Sequence, residues 1–304
     1  MNVGFVGLGQ LGRHLAASLL RAGFPLTVHD HSPDAAADLA TLGARVAGSP
    51  REVALASDAV VTCLPSPAAV AEVVAGPDGL LEGLRRGCTW IDSSTNDLHE
   101  LRRLAGVLAA EGIETLEAPV TGGVHLAASG EITVIVGGDE VVANAHWALF
   151  EAMGRSVFRV GPLGAASALK VITNLLAFIH LVADGEALML ARRAGLDLGQ
   201  AWEVIRASSG TSFVHETEGQ LILNGSYDIG FTMDLALKDL GLARRLASDG
   251  GVPLELGGLV EGIFERARET YGGAAASTMV VRLLEDAVGS DLRAPGFPAA
   301  LSVE

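Results

Sequence analysis

The sequence predicts an α/β domain with a mainly parallel sheet, followed by an all-α domain, the two joined by a long helix. Three observations support this. Short apolar runs alternate with helical stretches from residue 2 to about 161. Beyond Pro162 no convincing strand remains, and helical stretches fill the chain to about residue 290. The segment 164–194 is long for one globular helix, as a connector between two domains would be. The predicted boundaries are a first domain over 1–162, a helical domain over 163–290 and a tail over 291–304.

In chain order, NVGFV (2–6) is a short apolar run ending at GLGQLG. Leu11, Leu15, Leu19 and Leu20 then recur at helical spacing up to Gly23. PLTVH (25–29) reads as a second strand closed by Asp30. Further strands are expected at AVVTCLP (59–65), TWIDSS (89–94), ETLEAPV (114–120), ITVIVGG (132–138) and VFRVG (157–161). Helices are expected between them near 33–42, 67–75, 97–110 and 139–153. In the second half, helical stretches fall at 164–194, 198–208, 213–223, 232–248, 253–271 and 277–289, separated by glycines such as Gly195, Gly210 and Gly225. The tail after 290 contains Pro and Gly and is expected to be loosely held.

Hydrophobic residues make up 49% of the 304 positions and charged residues 19%, enough apolar material for two cores. The net charge of −15 argues against nucleic acid and anionic membranes as partners. It leaves open a small acidic substrate at a locally positive site. Cys63 and Cys88 fall in predicted strands and read as buried free thiols, not a disulfide framework. The N-terminus MNVGFVGLGQLG has no basic segment before its apolar run, which glycines interrupt. The most apolar stretch, 163–191, is broken by Lys170, Asn174, His180, Asp184 and Glu186, so no membrane span is expected. A cytoplasmic location is the resulting expectation.

The most informative motif is Gly7-Leu8-Gly9-Gln10-Leu11-Gly12. GxGxxG alone is weak, but here it follows a strand and opens a helix, and Asp30 ends the next strand 23 residues after Gly7. That context points strongly to a dinucleotide-binding turn, the alternative being a glycine turn that binds nothing. Gly7 permits the turn, Gly9 lets backbone approach a pyrophosphate, and Gly12 permits close helix–strand packing. Asp30 would accept hydrogen bonds from ribose hydroxyls and repel a 2′-phosphate. His31 and Ser32 follow in place of Arg or Lys, so NAD is favoured over NADP. Cys63-Leu64-Pro65-Ser66 and Asp92-Ser93-Ser94-Thr95 lie at strand C-termini, where ligands bind in such sheets. By themselves they read equally as a strand-stopping loop and a helix N-cap cluster. Thr121-Gly122-Gly123 can form an anion nest for a carboxylate or a plain glycine turn. Lys170 and Asn174 share a helical face in an apolar run. Lys170 is either a lysine held in a pocket for proton transfer or one that snorkels to water. The histidines show no metal spacing, and no metal is expected.

Taken in order, these motifs resemble the β-hydroxyacid dehydrogenase family, of the 3-hydroxyisobutyrate dehydrogenase type. The resemblance spans roughly residues 2–290. It rests on FVGLGQLG (5–12), Leu64-Pro65, DSST (92–95), APVTGG with ASGEITVIVGG (118–138), KVITN (170–174) and LALKDLGLA (235–243). It implies a Rossmann-type domain, a connecting helix and an all-α domain of the 6-phosphogluconate dehydrogenase type, through which homodimers or homotetramers form. It also implies that Lys170 is the catalytic lysine and Asn174 its partner. Thr121, Gly122 and Gly123 match the substrate-carboxylate loop. Gly7, Gly9, Gln10, Leu11, Gly12, Asp30, Leu64, Pro65, Thr95 and Lys238 match cofactor-binding positions. Thr121 stands where serine is more usual, and Thr173 where an asparagine is common. Ala69 and the Asn96-Asp97-Leu98 run also depart from the family pattern, as does the segment 271–304.

The function expected on this basis is NAD-dependent oxidation of a small β-hydroxy acid, with Lys170 as general base. Alternatives on the same scaffold are a tartronate-, succinic- or sulfolactaldehyde-type semialdehyde reductase and a 3-hydroxypropionate or serine dehydrogenase. Imine reductases usually lack the lysine, and 6-phosphogluconate dehydrogenases are much longer. A non-catalytic binding module would be expected to lose Lys170 or the glycine motif, and this chain has both.

Overall fold

The structure is a computed structural model that describes residues 1–302. The chain divides into two compact units, Met1–Lys170 and the residues from Val171 onward. In order, the first unit carries β1 (Val3–Val6), α1 (Gly12–Arg21), β2 (Leu26–His29), α2 (Ala37–Thr41), β3 (Arg45–Val46), α3 (Pro50–Leu55), β4 (Ala59–Thr62) and α4 (Pro67–Ala75). It continues through β5 (Thr89–Asp92), α5 (Leu98–Ala110), β6 (Glu114–Glu117), β7 (Val120–Thr121) and α6 (Gly123–Ser129). It then passes through β8 (Thr133–Gly138), α7 (Glu140–Ala145), α8 (Trp147–Met153) and β9 (Ser156–Gly161). The long helix α9 (Ala165–Arg193) begins in the first unit and runs into the second.

The sheet order is β3-β2-β1-β4-β5-β6-β8-β7, with β9 beside β8. The strands from β3 to β6 are parallel, and β8 runs antiparallel to β6 and β7. Period-two alternation sends neighbouring residues to opposite faces. Val3, Phe5, Val61 and Ile91 join α1 and α8 in one core layer. Val6, Val60 and Trp90 join α3, α4 and α5 in the other. Fully burying a side chain the size of Phe5 is worth about 1.5–3 kcal/mol, so this two-sided covering carries most of the unit's stability.

The expected strand 114–120 is broken into β6 and β7 at Ala118-Pro119. Pro119 has no N–H for a ladder, but its carbonyl accepts from Ile135 N. The expected helix 139–153 divides at His146, whose Nδ1 lies 2.8 Å from Val142 O. The span 43–58, for which no element was expected, holds β3 and α3, the latter capped by Ser49. Both cysteines are free.

The second unit continues with α10 (Leu198–Arg206), α11 (Phe213–Glu216), α12 (Glu218–Asn224), α13 (Met233–Asp249), α14 (Glu255–Tyr271) and α15 (Arg282–Val288). Its core gathers Phe178, Leu181, Leu188 and Met189 of α9 with Leu240, Val260 and Phe264. By length and composition α9 could cross a membrane, with a mean hydropathy of 1.7 over its most apolar window. Those four residues instead lie in a protein core. Asp184 of the same helix is buried 2.5 Å from His215 Nδ1, and His215 Nε2 is 2.9 Å from the Trp202 carbonyl. Burial opposes charging His215, yet these two contacts hold its pKa above the ordinary histidine value.

The tail, of which residues 303–304 lie outside the described ones, is tied down at Arg293 and Phe297, not loosely held as its composition suggested. Arg293 Nη1 donates to Ile222 O at 2.9 Å and Glu285 Oε1 at 3.1 Å, and Nη2 donates to the Tyr227 hydroxyl at 2.8 Å. The same Glu285 carboxylate accepts from Leu292 N and from the Tyr227 hydroxyl. Phe297 packs edge-on against Trp202 at 5.2 Å. Pro and Gly set the local backbone there, but one arginine and one buried glutamate decide the docking. Removing the guanidinium in Arg293→Ala should cost about 1–3 kcal/mol, since Glu285 and Tyr227 then lose a donor in a buried setting. Comparison of thermal midpoints checks this, and an unchanged midpoint would refute the clasp.

Candidate active site

The register of the parallel strands sets the site. Val6 pairs with His29 on one side and Thr62 on the other, and Thr62 pairs with Asp92. The residues that follow, Gly7, Asp30, Cys63-Leu64-Pro65 and Ser93-Ser94-Thr95, therefore line one edge of the sheet. The chain winds outward from β1 to β3 and returns on the other side of β1 at β4, so the switch point lies between β1 and β4, where open α/β sheets bind ligands.

At that point backbones approach so closely that no side chain fits. A Cβ on Gly7 would lie 2.3 Å from the Cys63 carbonyl oxygen, and Gly7 has φ +96°. A Cβ on Gly12 would lie 2.0 Å from the Gly7 oxygen. Both glycines are required by the protein itself. Gly9 is different, because a Cβ there would meet no protein atom within 4 Å. The open space over Gly9 suits a pyrophosphate brought against backbone. Helix α1, which starts here with Leu11 at its N-cap position, has no side-chain cap and no acid in its first turn. Ser66, Asp97 and Asp139 cap α4, α5 and α7. An uncapped helix start meets an anion with its orphan N–H groups and positive dipole end. Gln10 is tied to α1, its Oε1 accepting from Arg13 at 2.6 Å.

Asp30 is locked to the turn. Its Oδ2 accepts from Leu8 N at 2.7 Å and its Oδ1 from Ser32 N at 2.8 Å. His31 Nδ1 is 3.1 Å from Oδ1, with its side chain almost fully exposed. Leu64 N donates to Ser94 Oγ at 2.9 Å, which joins the loops after β4 and β5. Beneath them Asp92, fully buried, accepts from Thr62 Oγ1, Ser94 N and Asn96 Nδ2 at 2.7–3.0 Å. Burial raises its pKa, and those three partners act in the opposite direction. Ser93 Oγ is buried with no hydrogen-bond partner, an orphan of the kind a ligand satisfies. The Cys63 thiol is pushed up to about 12, first by burial and then by the Asp92 charge, so it is no nucleophile.

Thr121 ends β7, and Gly122 and Gly123 follow with φ +124° and +88°. A Cβ on Gly122 would strike Leu126 Cδ1 at 2.7 Å. Lys170 lies in the second turn of α9, only 9% exposed, and is the last residue of the first unit. One turn later, in the second unit, Asn174 Nδ2 donates to Asp239 Oδ2 at 2.6 Å. Lys238 Nζ is 2.7 Å from Asp239 Oδ1, close enough for an ion pair although not aligned as a hydrogen bond. Asp239 is buried and binds both residues. The first unit thus gathers Gly7, Gly9, Gln10, Leu11, Gly12, Asp30, Leu64, Pro65, Thr95, Thr121, Gly122, Gly123 and Lys170, and the second holds Asn174 and Lys238.

The NAD binding domain of 6-phosphogluconate dehydrogenase matches residues 2–161, and the NAD-binding domain of NADP-dependent 3-hydroxyisobutyrate dehydrogenase matches residues 164–284. The chain is 33% identical to 2-(hydroxymethyl)glutarate dehydrogenase of Eubacterium barkeri over 95% of this chain and 96% of that protein. The chain belongs to the β-hydroxyacid dehydrogenase family. Mitochondrial 3-hydroxyisobutyrate dehydrogenase of Mus musculus is 36% identical over 86% of this chain and 80% of its own length. A solved 3-hydroxyisobutyrate dehydrogenase from Salmonella typhimurium superposes with a TM-score of 0.86 at 34% identity, covering 93% of this chain and 99% of the other. The protein is therefore an NAD(P)-dependent dehydrogenase of hydroxyacids, with the Rossmann-type and helical regions that the sequence predicted.

Asp92, Asn96 and Asp239 of this dehydrogenase all lie within stretches the sequence singled out, but the hydrogen bonds by which they fix neighbouring loops appear only in the structure. Gly12→Ala should lower the affinity for the dinucleotide by at least about 100-fold, since the added methyl must displace the Gly7 carbonyl. Titration of intrinsic fluorescence with NAD and NADP checks this, and retained micromolar binding would contradict the packing described.

Proposed function

We propose that this dehydrogenase oxidises a small β-hydroxy acid of the 3-hydroxyisobutyrate kind with NAD, and that Lys170 is the proton-transferring residue. The observation that carries the reading is Lys170 itself, a lysine 9% exposed on α9 within the unit that holds the glycine turn. Lys170 Nζ takes the hydroxyl proton as the carbinol becomes a carbonyl, and in the reverse direction returns it to the forming alkoxide. When bound, the nicotinamide supplies the hydride acceptor for the carbinol carbon. Thr121 and the backbone of Gly122 and Gly123 hold the substrate carboxylate. Asn174, its amide held by Asp239, orients the reacting hydroxyl.

Asp30 supports NAD over NADP. Its carboxylate is fixed at the end of β2 by two backbone N–H groups, and a 2′-phosphate there would meet a like charge. The match to the 2-(hydroxymethyl)glutarate dehydrogenase, 33% identical along nearly the full length of both chains, favours a second substrate reading, a hydroxymethyl dicarboxylate. Semialdehyde reduction, the reverse reaction, uses the same groups.

Initial rates with NAD and NADP across 3-hydroxyisobutyrate, 3-hydroxypropionate, serine, glycerate, a hydroxysulfonate and 2-(hydroxymethyl)glutarate test the proposal. One acid turned over with NAD preferred is the expected result. Lys170→Ala should lower kcat by about 10²–10⁴-fold while NAD binding stays within about twofold. Near-normal turnover would remove Lys170 from the chemistry. Asp30→Ala should move the NADP-to-NAD ratio of kcat/KM by about tenfold or more towards NADP. An unchanged ratio would show that Asp30 does not set the preference.

A further inference from the structure

Glu117, the last residue of β6, is 0% exposed, and the proposed function leaves it without a task. Its carboxylate meets four donors at the start of α9. Oε1 accepts from Gly164 N at 2.6 Å and Ala166 N at 2.8 Å. Oε2 accepts from Ser167 N at 2.9 Å and Ser167 Oγ at 2.5 Å. These backbone groups are the orphan donors of a helix N-terminus, and the carboxylate sits at its positive dipole end. Glu117 therefore caps α9 from 47–50 residues away in sequence.

The strand opposite makes room for this. Gly137 of β8 pairs with Glu117 across the sheet, and a Cβ at Gly137 would lie 2.2 Å from Glu117 Oε1. Other helices of the same unit are capped locally, by Ser49, Ser66, Asp97 and Asp139. A local cap would satisfy the N–H groups of α9 equally well. A cap from β6 does something more, because it fastens the helix to the strand that leads into the glycine loop. Lys170 stands three residues after Ser167, on the same helical face, and Thr121 stands four residues after Glu117. One carboxylate thus sits at the root of both.

We infer that Glu117 is a positioning residue, which holds the α9 turn carrying Lys170 in register with the Thr121-Gly122-Gly123 loop and so sets the rate of proton transfer. The inference rests on the reading of Lys170 as the proton-transferring group. Misplacing a reacting group by about 1 Å costs on the order of 10²-fold in rate, so the carboxylate acts through kcat and leaves the dinucleotide turn on β1 unaffected.

The test compares Glu117→Gln, Glu117→Asp, Gly137→Ala and Lys170→Ala in steady-state kinetics, with NAD binding and thermal midpoint measured on each. Glu117→Gln places an amide N–H among backbone donors and should lower kcat at least tenfold, with NAD affinity within twofold and KM for the acid changed less than kcat. Glu117→Asp should recover part of the loss. Gly137→Ala keeps the charge but displaces the carboxylate and should lower kcat in the same sense, adding little when combined with Glu117→Gln. If Glu117→Gln fails to fold, Glu117→Asp and Gly137→Ala carry the test. A cap with only a structural role would lower the midpoint and leave kcat of the folded, NAD-binding protein unchanged, which overturns the inference. If Lys170→Ala turns over normally, the reading of Lys170 fails and this inference with it. If Lys170→Ala is inactive while the other variants keep wild-type kcat, only this inference fails.

Discussion

The site depends on a contact between bare backbones. The chain at Gly7 lies against the Cys63 carbonyl, and the start of α1 at Gly12 lies against the Gly7 carbonyl, with no room for a methyl group at either position. This contact closes the switch point between β1 and β4 and brings an uncapped helix start to the edge where the parallel strands end. Gly9 completes the turn for a different reason. No protein atom excludes a side chain there, so its backbone is left open to an approaching phosphate.

In the first unit the loops are fixed by buried acids that accept from several donors at once: Asp92 joins the ends of β4 and β5, and Glu117 anchors the first turn of α9. In the second unit Asp239 accepts from Asn174 and lies beside Lys238. A buried carboxylate is costly unless its oxygens are satisfied, and a satisfied one permits few alternative arrangements of its donors. An acidic protein can in this way build a site for an anionic ligand. Its buried carboxylates Asp92 and Glu117 are occupied with backbone N–H groups, hydroxyls and an amide, and the switch point is left with an uncapped helix start and a glycine turn.

Much of this could be read along the chain. The alternation of strands and helices, the change at Pro162 and the glycine turn followed by Asp30 all depend on near neighbours in sequence. The errors were non-local. The run 114–120 was apolar enough for one strand, but Pro119 splits it while its carbonyl still serves β8. The tail looked loose by composition, and it is held by Arg293 reaching Ile222 and Tyr227, some 70 positions back. Asp92 stood in the DSST motif, but its tie to Thr62, 30 residues away, and the tie of Glu117 to the start of α9, about 50 residues away, belong to no local pattern.

By itself the sequence determined the classes of element, their order, the glycine motif, the acid after β2 and the candidate lysine with its asparagine one turn on. These follow from spacing, since φ/ψ preference, helical period and strand alternation act over a few residues. Only the tertiary structure decided which glycines the fold requires and which it keeps open, which acids are buried, and what holds α9 at its start. Those properties arise from close approach and desolvation between segments distant in the chain, and no local pattern encodes them.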